Sequence, residues 1–319
     1  MKRLCLLLVV LSAVAWAQEQ APPGAVVTEM TNLVVRPPAP TYSDMYCAGF
    51  LSKQSMKRAN IVLAGMNSPN AGLFATGDTV FLAGSGYQEG NRYSIIRLLR
   101  DPNKYEPYPG QRMDLATAGS AYADVGHVRV TSVRGGVAIA AVEFTCGAMT
   151  KGDLVVPFEE KPALLYRKEV ALDRFPMGGG VSGRIVMAKE YDTVVAFGQK
   201  VYLNIGADKG LKVGDYLRAV RSYDPGQMDQ VDALSYKMPP GEDTQKNNAR
   251  VARAEYQKLP LRALGEMIVV GVTPTSATAM ITRSPEAINV GDAVQIEGPQ
   301  QAGAESAQCG CRPGRRRCR

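Results

Sequence analysis

The chain has 319 residues, 45% of them hydrophobic and 21% charged, with 37 Lys and Arg against 30 Asp and Glu and a formal net charge of +7. That charge sits at the ends: Lys2 and Arg3 open the chain and five arginines stand in the last eleven residues, which leaves residues 18–308 without net charge. The terminal basic cluster has the charge to bind a polyanion, but no aromatic residues interleave it to stack on bases, so a solvated end is expected and no nucleic-acid partner is assigned. A single histidine leaves little room for imidazole chemistry.

Lys2 and Arg3 precede an apolar run from Leu4 to Ala15, and Ala15-Trp16-Ala17 closes it. A charged start, a short apolar core and an A-x-A site predict a secretory signal peptide over residues 1–17, cleaved near Ala17. The run falls short of the ~20 residues a spanning helix requires. No later stretch is long and apolar enough either, so the mature chain is expected in the periplasm or secreted, with no transmembrane segment. Residues 18–41, with Pro22-Pro23-Gly24 and Pro37-Pro38-Ala39-Pro40, predict an extended linker. Tyr42 to Leu51 then brings aromatics and Cys47, and is expected to pack on a first domain spanning 42–160. Cys146 falls within that domain. In an oxidising compartment a Cys47–Cys146 disulfide would tie the segment to it; two buried thiols are the alternative.

Short runs rich in Val, Ile, Thr and Tyr between glycine-bearing turns predict strands. In the first domain they are Thr79–Leu82, Tyr93–Arg97, His127–Val133, Val137–Phe144 and Leu154–Phe158. A hinge is expected over 161–180, where Met177-Gly178-Gly179-Gly180 is flexible by composition. A second domain over 181–298 offers Ile185–Ala188, Val194–Leu203, Tyr216–Arg221, Met267–Val272, Ala277–Thr282 and Ala293–Glu297. Residues 299–319 form a Cys/Arg-rich tail expected to be disordered. Its Cys309, Cys311 and Cys318 lack zinc-ribbon spacing and a nearby histidine.

The two domains repeat each other. Gly126-His127-Val128 runs to Gly152-Asp153-Leu154, and Gly265-Glu266-Met267 runs to Gly291-Asp292-Ala293, 139 residues later and with 25 residues between the glycines in each copy. Val130, Val133, Ala140, Val142 and Val155 register with Val269, Val272, Ala279, Ile281 and Val294. Ahead of them, Val80-Phe81-Leu82 to Ile95-Ile96-Arg97 answers Val201-Tyr202-Leu203 to Ala219-Val220-Arg221. The pattern predicts a mainly β fold of two tandem small barrel-like domains related by internal duplication, with a short helical insertion in the second. Four Gly-Asp pairs, Gly77-Asp78, Gly152-Asp153, Gly214-Asp215 and Gly291-Asp292, read as structural turns, in which glycine takes positive φ and the carboxylate bonds nearby amides. An acidic metal cage is the weaker reading.

Catalytic signatures are sparse. His127 heads a predicted strand, its counterpart in the repeat is Glu266, and no G-x-S-x-G, H-E-x-x-H or Walker loop accompanies it. No catalytic, cofactor-binding or metal residue is therefore assigned, and the chain is expected not to be an enzyme. Two features suit partner binding instead. Between Arg221 and Gly265 the second domain has 43 residues where the first has 28 between Arg97 and Gly126, and such lengthened connections carry partner-specific features. Tyr105-Glu106-Pro107-Tyr108, with Tyr236 in the long connection, is a candidate interaction surface able to stack on sugar rings or dock a protein, although tyrosines that close barrel ends are the favoured reading of these residues taken alone.

The stretch from Gly198 to Arg221, with Gly210-Leu211-Lys212-Val213-Gly214-Asp215 at its centre, resembles the C-terminal domain of the flagellar assembly protein T family. The first repeat, from Gly77-Asp78 to Arg97 with Gly152-Asp153 to Pro157, is similar to the β-repeat region that follows the LysM module in bacterial envelope proteins, although the LysM module itself is absent. The resemblance covers about residues 60 to 297 and implies a noncatalytic part in envelope assembly, with an envelope protein as partner. A glycan- or peptidoglycan-binding module is the alternative.

Overall fold

The computed structural model describes residues 39–67, 72–101, 103–165, 171–176, 182–223 and 252–296. The predicted signal peptide, most of the Pro-rich linker, Met177 to Gly180, Tyr236 and the Cys/Arg tail lie outside the described residues. The chain opens with helix α1 (Tyr42–Tyr46) and strand β1 (Phe50–Ser52). Strands β2 (Ile61–Gly65), β3 (Leu73–Phe74), β4 (Thr79–Ala83) and β5 (Arg92–Leu98) lead to helix α2 (Gln111–Ala118). Then come β6 (Ser120–Arg134), β7 (Val137–Thr145), β8 (Met149–Thr150) and β9 (Leu154–Pro157). The second half has β10 (Ser182–Ala188), β11 (Val194–Val195), β12 (Lys200–Leu203), β13 (Tyr216–Arg221), helix α3 (Arg253–Tyr256), β14 (Arg262–Val272), β15 (Ala277–Arg283), β16 (Ile288–Asn289) and β17 (Ala293–Ile296).

Each half closes a six-stranded antiparallel barrel, in the same order. The first runs β2-β4-β7-β6-β5-β9 and back to β2; the second runs β10-β12-β15-β14-β13-β17 and back to β10. A two-stranded piece flanks each, β3 with β8 and β11 with β16. The duplication extends to register: Phe81 faces Ile139 as Tyr202 faces Thr278, and Ile95 faces Gly126 as Ala219 faces Gly265. After each of these glycine pairings the ladder slips by one residue, so Val125 and Leu264 bulge. The glycines are required there, because a Cβ at Gly126 would strike the Phe144 carbonyl and one at Gly265 the Arg283 carbonyl.

The Gly-Asp pairs close the barrels. In all four the aspartate carboxylate accepts from the backbone N–H three residues earlier, of Ala75, Thr150, Lys212 and Asn289, at 2.7–2.8 Å. The preceding glycines hold φ of 96°, 87°, 95° and 109°. Each turn then exchanges two backbone bonds with one residue of another strand: Gly77-Asp78 with Val142, Gly152-Asp153 with Val62, Gly214-Asp215 with Val269 and Gly291-Asp292 with Ile185. Gly90-Asn91 makes the same exchange with Val130, and Gly198-Gln199 with Ile281, so each barrel is pinned by three such turns. Gly198-Gln199 also divides the predicted single strand Val194–Leu203 into β11 and β12, with Gln199 Oε1 accepting from Ala196 N as the aspartates do.

Asp153 and Asp292 carry a further duty. Arg97, near the end of β5, donates Nε and Nη2 to the two oxygens of Asp153 at 2.7 and 2.8 Å, and a further Nη2 bond to the Ala148 carbonyl. Arg221, ending β13, does the same to Asp292 at 2.8 Å for both, and to the Ala287 carbonyl. A bidentate fork of this kind is among the stronger polar links available. The two copies differ in shielding: the Arg221 side chain is 14% exposed and that of Arg97 39%. We therefore expect Asp292→Ala to lower unfolding free energy by about 3 kcal/mol and Asp153→Ala by roughly half that, since a buried partner left uncompensated costs more. Urea titration of both variants checks the order.

Candidate functional site

Side chains from both halves converge on one region, the strap from Thr41 to Ser52. Its helix α1 starts at a capping box: Asp44 N donates to Thr41 Oγ1 and Thr41 N donates to Asp44 Oδ2. Cys47 follows and forms a disulfide with Cys146, at the end of β7, across 99 residues of sequence. β1 then pairs with the first turn-ward residues of β6, Phe50 facing Tyr122 and Ser52 facing Ser120. The strap is thus bound covalently and by a ladder to the first barrel.

Its other side meets the second barrel. Tyr202 OH donates to Ala48 O at 3.2 Å, Thr278 Oγ1 to Gly49 O at 2.8 Å and Ser276 Oγ to Leu51 O at 2.8 Å. The three hydroxyl residues are at most 1% exposed, so carbonyls that a strand would otherwise leave orphaned are satisfied inside the joint. Gly49 has φ of 71°, and a Cβ there would collide with the Tyr202 hydroxyl. Apolar contacts complete the seal: Met45 and Ala48 pack with Ile268, Val270 and Met280, and Leu51 with Ala118, Val186, Met187 and Tyr202. At its rim Lys200 pairs with Asp44; burial raises the Asp44 pKa, but the Lys200 and Thr41 hydrogen bonds outweigh it and hold the carboxyl below its ordinary value. The expectation that this segment packs on the first domain is therefore extended: it packs between both.

The connection from β5 to β6 is the second tie. Glu106 accepts from Gly110 N and Arg112 N at the start of α2, and Gln111 reaches across to donate to the Val186 carbonyl at 2.9 Å. Tyr108, offered by the sequence as part of an exposed pair with Tyr105, is 3% exposed and belongs to the second barrel's core cluster. Its ring lies against Gly291 and under the Arg184 guanidinium, 4.8 Å from the ring centre, and its hydroxyl donates to Asp114 at 2.8 Å. Burial, with the Asp114 bond behind it, pushes its pKa well above the ordinary phenol value. Tyr108 closes a barrel end and offers no surface to a partner. Tyr105 stays 87% exposed.

On the far side of α1 lies an aromatic cluster that the sequence did not bring together. His127, 4% exposed, stacks on Phe144 at 5.3 Å and lies 5.1 Å from Phe158, with Tyr42 and Tyr46 at 6.1 and 6.0 Å. Tyr42 OH and His127 Nε2 share a hydrogen bond at 3.3 Å. Outside the rings, Glu143 bridges Arg92 and Arg129, Arg92 lies over Phe158 and Lys161 over Tyr46. Tyr42 is half exposed. Spacing along the chain gave no signal for this cluster, because its members come from α1, β6, β7 and the stretch after β9.

The described part of the join between barrels is docked. Lys161 N donates to Tyr46 OH and its Nζ to Met45 O, Leu164 packs on the strap cluster, and Arg174 O accepts from Ala263 N. Among the described residues no group of three or more His, Cys, Asp or Glu is placed to hold a metal ion, and no helix is long and apolar enough to cross a membrane. No family model matches the chain, and no curated protein matches it significantly.

Two outcomes test this region. Replacing Cys47 and Cys146 together by Ser should lower unfolding free energy by about 2–5 kcal/mol, read by urea denaturation without reductant. Burial, with Arg92 and Arg129 nearby, lowers the His127 pKa, against a smaller opposing effect of Glu143. A folded pKa below the unfolded one, near 6.5, means the unfolded chain takes up the proton first. The His127 contribution is then complete above about pH 6.5 and is lost as pH falls below it. His127→Phe should flatten stability between about pH 7 and 5.5, measured as Tm against pH.

Proposed function

We propose that this chain is an exported, noncatalytic structural protein of the cell envelope, in which two locked barrels present their loops and the 222–264 connection to another envelope protein. The observation that carries the reading is the Cys47–Cys146 disulfide. Bridges of this kind persist outside the reducing cytosol, in the compartments that a leader such as residues 1–17 addresses. The way the bridge is used supports a scaffold: it fixes the strap that joins the barrels, so loops far apart in sequence keep a fixed spacing. Loops on a rigid frame are suited to recognition.

A second reading, binding of a wall glycan, draws on the Tyr42 cluster. Half-exposed Tyr42 beside Tyr46 and Phe158, with Arg92, Lys161 and Glu143 around it, combines ring faces for stacking on sugars with charged groups for hydroxyls.

Cell fractionation with thiol labelling, followed by photo-crosslinking from position 105, tests the first reading. The expected result is a chain in the envelope fraction whose Cys47 and Cys146 resist labelling, joined to one discrete protein. A cytosolic chain with both thiols labelled would overturn it. Salt-resistant co-sedimentation with cell-wall sacculi, abolished by Tyr42→Ala, would replace it with the glycan reading.

A further inference from the structure

We propose that the outer face of the first barrel, on β2, β4 and β7, is a docking surface for a second copy of this chain, joined head to tail. The inference starts from an asymmetry between the repeats. On the second barrel the residues that point away from the barrel interior, Met187, Tyr202, Thr278, Met280 and Ile268, are at most 3% exposed, because the strap and α2 cover them. β15 is accordingly buried along six consecutive residues, Ala277 to Thr282, instead of at every second one.

The register carries these positions onto the first barrel without ambiguity. Met187 facing Tyr202 corresponds to Ala64 facing Phe81; Tyr202 facing Thr278 corresponds to Phe81 facing Ile139; Val186 in the β10 bulge corresponds to Leu63 in the β2 bulge. Here β4 and β7 alternate between buried and half-buried residues, and Leu63 is 46% exposed. Leu63, Phe81, Ile139 and Val137 join none of the buried apolar clusters among the described residues. They form a contiguous apolar strip across three hydrogen-bonded strands, and such strips mark contact surfaces.

The occupant follows from the same repeat. Inside the chain, the covering element is the stretch that runs beside the start of β6. Beside the start of β14 in the second barrel runs 171–176, tied by the bond from Ala263 N to Arg174 O, and its Phe175 is 53% exposed. One further application of the internal joint therefore sets the second barrel of one copy on the first barrel of the next. The hydroxyl positions Tyr202, Thr278 and Ser276 are matched by Phe81, Ile139 and Val137, so this contact is apolar where the internal one hydrogen-bonds strap carbonyls. The two contacting surfaces differ, so the interface is heterologous and copies can add in a row or ring.

Sedimentation velocity over a concentration series tests this, on the full chain expressed from its first residue and purified as it accumulates, with Cys309, Cys311 and Cys318 changed to Ser so that tail disulfides add nothing. The expected result is mass that rises with concentration, with association weakened about tenfold or more by Ile139→Glu and separately by Phe175→Glu, both variants keeping the parent Tm. Mixed in equal amounts, the two variants retain one intact surface of each kind and should form a species limited to two chains. A monomer at every concentration, association indifferent to either substitution, or no pairing in the mixture would each overturn the proposal. A monomer that still crosslinks to an envelope protein would leave the proposed function standing.

Discussion

The arrangement of this protein depends on how one short length of backbone is satisfied. From Ala48 to Leu51 the strap has a barrel on each side, and Ala48, Gly49 and Leu51, whose carbonyls face the second barrel, are buried. On the first barrel's side the disulfide and the β1–β6 ladder hold it. On the second barrel's side three hydroxyls from β12, β15 and the turn before β15 accept the role that a neighbouring strand would have played. An unpaired carbonyl in such a place costs more than a made bond gains. The two barrels are consequently fixed in the one relation that satisfies all three, and Tyr108, inserted at the second barrel's end, reinforces it.

The duplication separates what a small barrel needs in order to close from what it is free to vary. Both copies keep three turns that pin the ring, the bulge beside Gly126 or Gly265, and the arginine fork onto Asp153 or Asp292. All of these tie the strand ends and the ladder of their own barrel together. The outward positions differ: Phe81, Ile139 and Val137 in one copy, Tyr202, Thr278 and Ser276 in the other. The difference tracks the surroundings, since hydroxyls stand where strap carbonyls must be met and apolar groups where no strap lies.

Features set by local chemistry are legible along the chain, and those set by distant contacts are not. A Gly-Asp turn is decided by positive φ and a carboxylate three residues from its donor, so all four pairs were legible. Gly198-Gln199 makes the same turn, but glutamine is not a turn residue by habit, so Val194–Leu203 carries the pattern of one unbroken strand. Helix α2 leaves no local signature, because its N-cap is Gly110, which has no side chain, its first amides are met by Glu106 from ahead of the helix, and its anchor, Gln111, bonds a carbonyl in the other barrel. Tyr105 and Tyr108 look alike in the chain, yet one is exposed and the other fills a barrel end.

By itself the sequence determined the mainly β class, the duplication, and the turns that punctuate it, because strand alternation and glycine conformation act over a few residues. Only the tertiary structure decided the partners of the strap, the burial of Tyr108, the convergence of Tyr42, Tyr46, Phe144 and Phe158 on His127, and which outer barrel face is covered. Those features depend on which residues, some separated by over a hundred positions, are brought within hydrogen-bonding or van der Waals distance, and periodicity along a chain carries no record of that.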